Sequence, residues 1–156
     1  MKLKNIKISN YRCFKETEID FDDHITLVVG KNGAGKTAIL DAVAVSVSTF
    51  LLGIDGGISR SILKDDARYE FHDLNGTIDP QHQFPVSIES TGDCLNQQDV
   101  KWIRSLNSES GKTTIKDAGE LTGLAKKAQN QIMTGDKSLV LPLILSLIHI
   151  SEPTRL

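Results

Sequence analysis

The chain has 156 residues, 39% hydrophobic and 24% charged, with a formal net charge of -2 at pH 7; this is enough for one domain with its own core. A near-neutral balance gives no global basic footprint for nucleic acid, so any DNA contact must come from a local patch or a missing region. Cys13 and Cys94 lack C-x-x-C spacing and His24, His72, His82 and His149 lack ligand spacing, which argues against a disulfide framework or zinc site and reads the histidines as solvated loop residues.

Residues 1–7 alternate charged and apolar side chains instead of building the apolar core of a signal peptide, so the expected compartment is the cytosol. Residues 2–9, with Leu3 off-register and Ile6 and Ile8 on one face, predict a half-buried strand. A turn at residues 10–14 leads into residues 16–21, where Glu18 and Asp20 alternate with Ile19 and Phe21, and this second strand is expected to pair back on the first. Residues 25–29 are apolar on both faces, which places them in the middle of a parallel sheet covered on both sides.

Residues 30–37 read Gly-Lys-Asn-Gly-Ala-Gly-Lys-Thr, a complete G-x-x-x-x-G-K-[ST] phosphate-binding loop between that apolar run and the helix-forming residues 38–43. Composition alone supplies such a match in roughly one chain of this length in a few hundred, so the loop points to a nucleoside triphosphate. Gly30, Gly33 and Gly35 have no Cβ and can take positive φ, letting the chain wrap an anion. Successive amides then converge on a phosphate at the positive end of the following helix. Lys36 is placed for the β- and γ-oxygens and for charge developing during transfer, and the Thr37 hydroxyl for Mg²⁺. Lys31, Asn32, Ala34 and Ala38 complete the nucleotide-binding stretch, the side chains of Asn32 and Ala34 having only to stay clear. The bland alternative is a strand–helix turn without a ligand, but a cation at a helix N-terminus is repelled unless an anion is there.

The helix after the loop is expected over residues 37–52, ended by Gly53 and Gly56-Gly57; its β-branched Val43, Val45 and Val47 mean that burial must hold it. A polar connection over residues 59–68 precedes two strands, 84–90 and 101–106, with Trp102 read as packing and not as a base-stacking platform. A second Gly-Lys-Thr at residues 111–113 has Leu106 where the motif needs glycine and reads as a turn. Residues 113–133 predict a second helix, its apolar positions from Ile115 to Ile132 recurring at three- and four-residue steps, with Thr114 and Asp117 as an approximate capping box and Lys126-Lys127 on its solvated face. The apolar run 139–150 is proline-interrupted and short of the roughly twenty residues of a membrane span. No apolar strand ending in the Asp or Asp-Glu that a hydrolysing P-loop enzyme needs precedes residue 139.

From Leu3 to Phe14, through Ile19-Asp20-Phe21 and on to Ala42, the chain resembles the start of the RecF/SMC/OLD branch of ABC-type P-loop ATPases, of the AAA family: an N-terminal strand, an N-[FY]-R-x-F turn, an acidic-aromatic strand and a G-x-N-G-[AS]-G-K-[ST] loop. Phe84 to Ile88, Trp102-Ile103-Arg104, residues 113–128 and Leu141-Pro142-Leu143-Ile144 are more loosely similar to bacterial ATP-binding proteins named as virulence- or defence-associated. The resemblance implies an α/β P-loop fold with a mixed sheet and an antiparallel β-subdomain, ATP with Mg²⁺, and two heads that sandwich the nucleotide as a homodimer. It also implies work in DNA repair, maintenance or antiphage defence, with DNA or a nuclease as partner and no membrane. In similar heads the arginine of the turn, here Arg12, approaches nucleotide phosphates; a surface salt-bridging role stands beside that reading. No Q-loop glutamine can be placed, Gln81 and Gln83 being candidates by residue type alone. Residues 145–155 resemble the translation of a transposase-based sequencing adapter, so residues 1–144 are expected to be the N-terminal part of an ATPase head, truncated before the Walker B strand, and residues 145–156 non-native. Such a fragment is expected to be inactive by itself. Alternatives are another P-loop protein, a GTPase or kinase, which the two strands before the loop and the lack of an Asn-Lys-x-Asp disfavour, or a non-hydrolysing nucleotide-binding fragment.

Overall fold

The computed structural model describes residues 1–74 and 77–135, with the backbone alone at Leu74 and Thr77. The readings of Leu141 to Ile144 and of residues 145–156 fall outside the described residues. Alternation at the N-terminus becomes β1 (Lys2–Tyr11), whose Ile6, Ile8 and Tyr11 are fully buried. It pairs antiparallel with β2 (Phe14–Asp20), Ile6 opposite Ile19 and Ile8 opposite Thr17, as the turn at residues 10–14 predicts. On its other side β1 pairs with β5 (Val86–Cys94), and β5 with β6 (Gln97–Leu106), giving an antiparallel sheet in the order β2-β1-β5-β6.

One helix, α1 (Lys36–Ser48), continues into a 3-10 turn at Thr49–Gly53. Its Ala38, Ala42 and Val45 pack on Ile6, Ile8, Val86 and Ile88 of the sheet; each fully buried aliphatic side chain contributes about 1.5–3 kcal/mol, which outweighs the few tenths lost to β-branching. Lys36–Gly53 is long and apolar enough to cross a membrane by length and composition, yet its buried groups are those of a core helix. Ser46 shares a 2.7 Å hydrogen bond with Ser90 of β5, and Trp102 Nε1 donates to Ser46 O at 3.1 Å. Trp102 is therefore core, as expected. A second cluster joins Phe50, Val100 and Trp102 to Leu121, Leu124 and Ala125 of α2 (Gly119–Met133), whose Lys126 and Lys127 face solvent.

Three expectations are corrected. Residues 25–29 form no strand: Ile25 and Leu27 are each 80% exposed and Val29 76%. Apolarity marks where a strand is wanted, but a strand is held by backbone bonds to neighbours, and among the described residues no parallel partner lies beside this segment. Second, His72 and His82 are not loop residues, because β3 (Tyr69–Leu74) and β4 (Thr77–His82) form a separate hairpin. Its polar residues and Pro80 hide the alternation, and proline is tolerated because each strand of a two-stranded ribbon is an edge. His72 and His82 thus lie on strands, with the His82 ring centroid 4.0 Å from that of Tyr69. Third, the Thr114–Asp117 capping box does not form, since α2 begins at Gly119. Thr114 instead extends the edge of β6, its N–H donating to Ser105 O at 2.7 Å and its hydroxyl accepting from Ser105 N–H at 3.1 Å. The second Gly-Lys-Thr is a loop, in which the Thr113 hydroxyl bonds both Ile62 N–H and Ile62 O.

Candidate functional site

The loop of residues 30–37 is a turn that ends in a helix. Ala34 N–H donates to Lys31 O at 3.1 Å, Ile39 N–H to Gly35 O at 3.0 Å, and α1 starts at Lys36. Gly33 (φ 81°) and Gly35 (φ 89°) hold left-handed conformations, which cost an ordinary L-residue about 1–2 kcal/mol. Gly30 does not, against the expectation for it; a Cβ there would come within 3.2 Å of Ala34 Cβ, so its small size serves a close approach.

The β1–β2 turn folds over this loop. A Cβ on Gly35 would lie 2.5 Å from Phe14 Cζ and 2.7 Å from Cys13 Sγ. Strain and overlap act together, so Gly35→Ala is expected to lower stability by about 2 kcal/mol, read as a lowered urea midpoint with an unchanged slope. An unchanged midpoint would show that the turn does not press on the loop.

Where the turn meets the loop there is a hollow of about 570 Å³ lined by Arg12, Cys13, Asn32, Gly33, Gly35, Lys36, Thr37 and Ala38. Gly30, Lys31 and Ala34 do not line it but frame it. Lys36 Nζ donates to Gly30 O at 2.8 Å and to Lys31 O at 2.9 Å, spanning the loop while an ammonium with three donors keeps one in hand. The first turn of α1 carries no acidic residue and no side-chain cap. Its free amides and positive dipole end therefore join Lys36 and Arg12 in favouring an anion. Thr37 adds a hydroxyl, a hard oxygen donor of the kind Mg²⁺ takes alongside phosphate oxygens and water. Gln81 and Gln83 lie elsewhere, Gln81 donating to Asp79 on β4 and Gln83 to Gln81 O.

Arg12 lines the hollow and is also salt-bridged. Its Nε donates to Asp66 Oδ1 at 2.9 Å and its Nη1 to Asp41 Oδ2, and Arg60 Nη2 lies 2.8 Å from Asp41 Oδ1. Asp41, Arg60 and Asp66 were not singled out from the sequence, and Cys13 was weighed there only for disulfide or zinc spacing. Asp41 had a readable signal, standing one helical turn after Thr37 in an otherwise apolar stretch; Arg60 and Asp66 meet it only through the fold.

The AAA domain family model matches residues 5–148. Residues of this chain are 46% identical over 44 positions to the DNA double-strand break repair Rad50 ATPase of Archaeoglobus fulgidus, covering 28% of this chain and 5% of that protein. The DNA replication and repair protein RecF is 35% identical over 89 residues in Chlorobium phaeobacteroides, covering 57% of this chain and 23% of the relative. In Mannheimia succiniciproducens the corresponding figures are 26%, 137 residues, 86% and 33%. The chain thus spans from a twentieth to a third of the length of these curated relatives. Its fold is similar to a solved structure described as "Structural biochemistry of ATP-driven dimerization and DNA stimulated activation of SMC ATPases", with TM-score 0.51, 18% identity and 80% of each chain covered. With the loop, the turn and the antiparallel sheet in place, the match over residues 5–148 establishes that the chain belongs to the AAA domain family.

Proposed function

We propose that residues 30–37 bind the triphosphate of ATP, with Lys36 on the β- and γ-phosphates, Thr37 on Mg²⁺, and Gly30, Lys31, Asn32, Gly33, Ala34, Gly35 and Ala38 supplying the loop that wraps it. The observation that carries the reading is the hollow at the start of α1, where two left-handed glycines, a lysine and a threonine converge with no acid in the first turn. Mg²⁺ would supply charge neutralisation on the phosphates. Titration calorimetry with MgATP and with MgGTP tests the assignment: binding of ATP in preference to GTP is expected, and heat from neither overturns it. Thr37→Ala is expected to weaken MgATP about tenfold, about 1.4 kcal/mol, and to leave metal-free ATP in EDTA unchanged; equal losses in both would remove Thr37 from the metal.

Hydrolysis, a head-to-head homodimer, cytoplasmic residence and a role in DNA repair, maintenance or antiphage defence are proposed for the full-length protein. Support comes from the names of the relatives, which include repair of DNA double-strand breaks and DNA replication and repair, and from the dimerization and DNA stimulation named for the SMC neighbour. DNA and a nuclease are the proposed partners. This chain by itself is expected to turn over no ATP, because no apolar strand ending in the acid that a hydrolysing P-loop enzyme needs precedes residue 139. Residues 1–144 are read as part of an ATPase head and 145–156 as non-native, which sequencing of the source locus tests.

A further inference from the structure

The backbone at Arg12 is left-handed, φ 50°, an uncommon state for a long side chain. Three contacts hold it there. Arg12 N–H donates to Asp66 O at 2.7 Å, Arg68 N–H donates to Asn10 O at 2.9 Å, and Tyr11 bridges Ala67. The turn is thereby fastened to residues 66–68, and the Arg12 side chain lies along the hollow with Gly33, Gly35, Lys36 and Thr37.

The two carboxylates on Arg12 are not equivalent. Asp41 is paired twice, with Arg12 and with Arg60, so it keeps an ion pair if Arg12 leaves. The ion pair of Asp66 is with Arg12, and its second oxygen accepts Leu63 N–H at 3.0 Å, which fixes the carboxylate against the 3-10 turn Lys64–Asp66. Both acids are largely buried, with 13% and 12% of their side chains exposed, and a buried charge left unpaired is costly. Arg12 can therefore exchange Asp41 for a phosphate but cannot leave Asp66.

We propose that Asp66 is a positioning residue: it keeps hold of Arg12 Nε as a pivot while the planar guanidinium turns as one unit about that hydrogen bond, carrying Nη1 from Asp41 to the phosphates of a nucleotide in the loop, and Arg60 keeps Asp41 paired. This rests on the reading of residues 30–37 as a nucleotide site. The pivot makes Arg60, which does not line the hollow, a determinant of affinity. Without Arg60, Asp41 has Arg12 as its ion-pair partner and competes harder for it.

Titration calorimetry with MgATP on the whole chain tests this, using Asp66→Asn, Arg12→Ala, their double variant and Arg60→Gln, with Lys36→Ala as reference. Asp66→Asn retains an acceptor for Leu63 N–H. It is expected to weaken binding about tenfold in the parent and by less than about twofold in the Arg12→Ala background, the coupling of a residue that acts through another. Arg60→Gln is expected to weaken binding about threefold. A purely structural Asp66 would cost the same in both backgrounds, and that result, or wild-type affinity in Asp66→Asn, or tighter binding by Arg60→Gln, overturns the pivot while leaving the nucleotide site intact. No MgATP binding by the parent chain, or no loss in Lys36→Ala, overturns the nucleotide reading and the pivot with it.

Discussion

Lys36→Ala is expected to weaken MgATP binding by at least about a hundredfold, about 2.7 kcal/mol. Charge-assisted hydrogen bonds contribute roughly 1.5–3 kcal/mol each, and the lysine gives them where loop amides and the dipole of α1 already converge. Its contacts to Gly30 O and Lys31 O show that the side chain reaches back across the loop and does not extend into solvent. Those contacts also make the variant's second effect predictable. Two loop carbonyls return to water, which is cheap because both residues are exposed, so the folded chain should lose under about 1 kcal/mol. Calorimetry for affinity and urea unfolding for stability separate the two. A binding loss matched by an equal stability loss would mean that Lys36 supports the loop and nothing else. Lys36→Arg is not expected to rescue, since a planar fork cannot replace a point charge that bonds two carbonyls and a phosphate from one nitrogen.

The loop was legible because its chemistry is local. Glycine at 33 and 35, lysine at 36 and a hydroxyl at 37 fall within eight residues; both glycines are left-handed and all four residues line the hollow. Ile6 and Ile8 were legible for the same reason, since a period of two needs no knowledge of the partner strand. What failed depended on partners. The apolar run at residues 25–29 reads as a central strand from its own side chains, but a strand exists only beside another. Thr114 and Asp117 have the spacing of a cap, but the hydroxyl is taken by Ser105 on β6. The pairing of Arg12 with both Asp41 and Asp66 joins residues 29 and 54 positions apart, a distance across which sequence carries no periodic signal. The candidate site therefore divides into a glycine loop at a helix start that can be read from sequence and a charge clamp that cannot.

Arg104→Met is expected to stabilise the chain by about 1–3 kcal/mol, while Arg104→Ala is expected to fall about 2–4 kcal/mol below the methionine variant. Arg104 lies on the inner face of β6, 2% exposed, between Trp102 and Leu106. Among the described residues no carboxylate pairs with it. Its Nη1 donates to Thr49 Oγ1 at 3.1 Å and weakly to Ser59 Oγ at 3.4 Å, its Nε has no partner, and burial pushes its pKa down. The favourable influence is the negative end of α1, whose C-cap is Thr49, worth up to about 2 kcal/mol for a partly buried cation. Against it stands a desolvation cost of several kcal/mol per ion even after relaxation, so the charge is a net loss and an apolar side chain of similar length should recover it. The alanine variant sheds the same charge but leaves a cavity against α1, and the difference between the two variants isolates packing from charge. Equilibrium urea unfolding of the three proteins decides the matter. If methionine proves as costly as alanine, the carbonyls at the end of α1 solvate the guanidinium well, and β6 grips the helix that opens at the phosphate loop through charge at Arg104 as well as through Trp102.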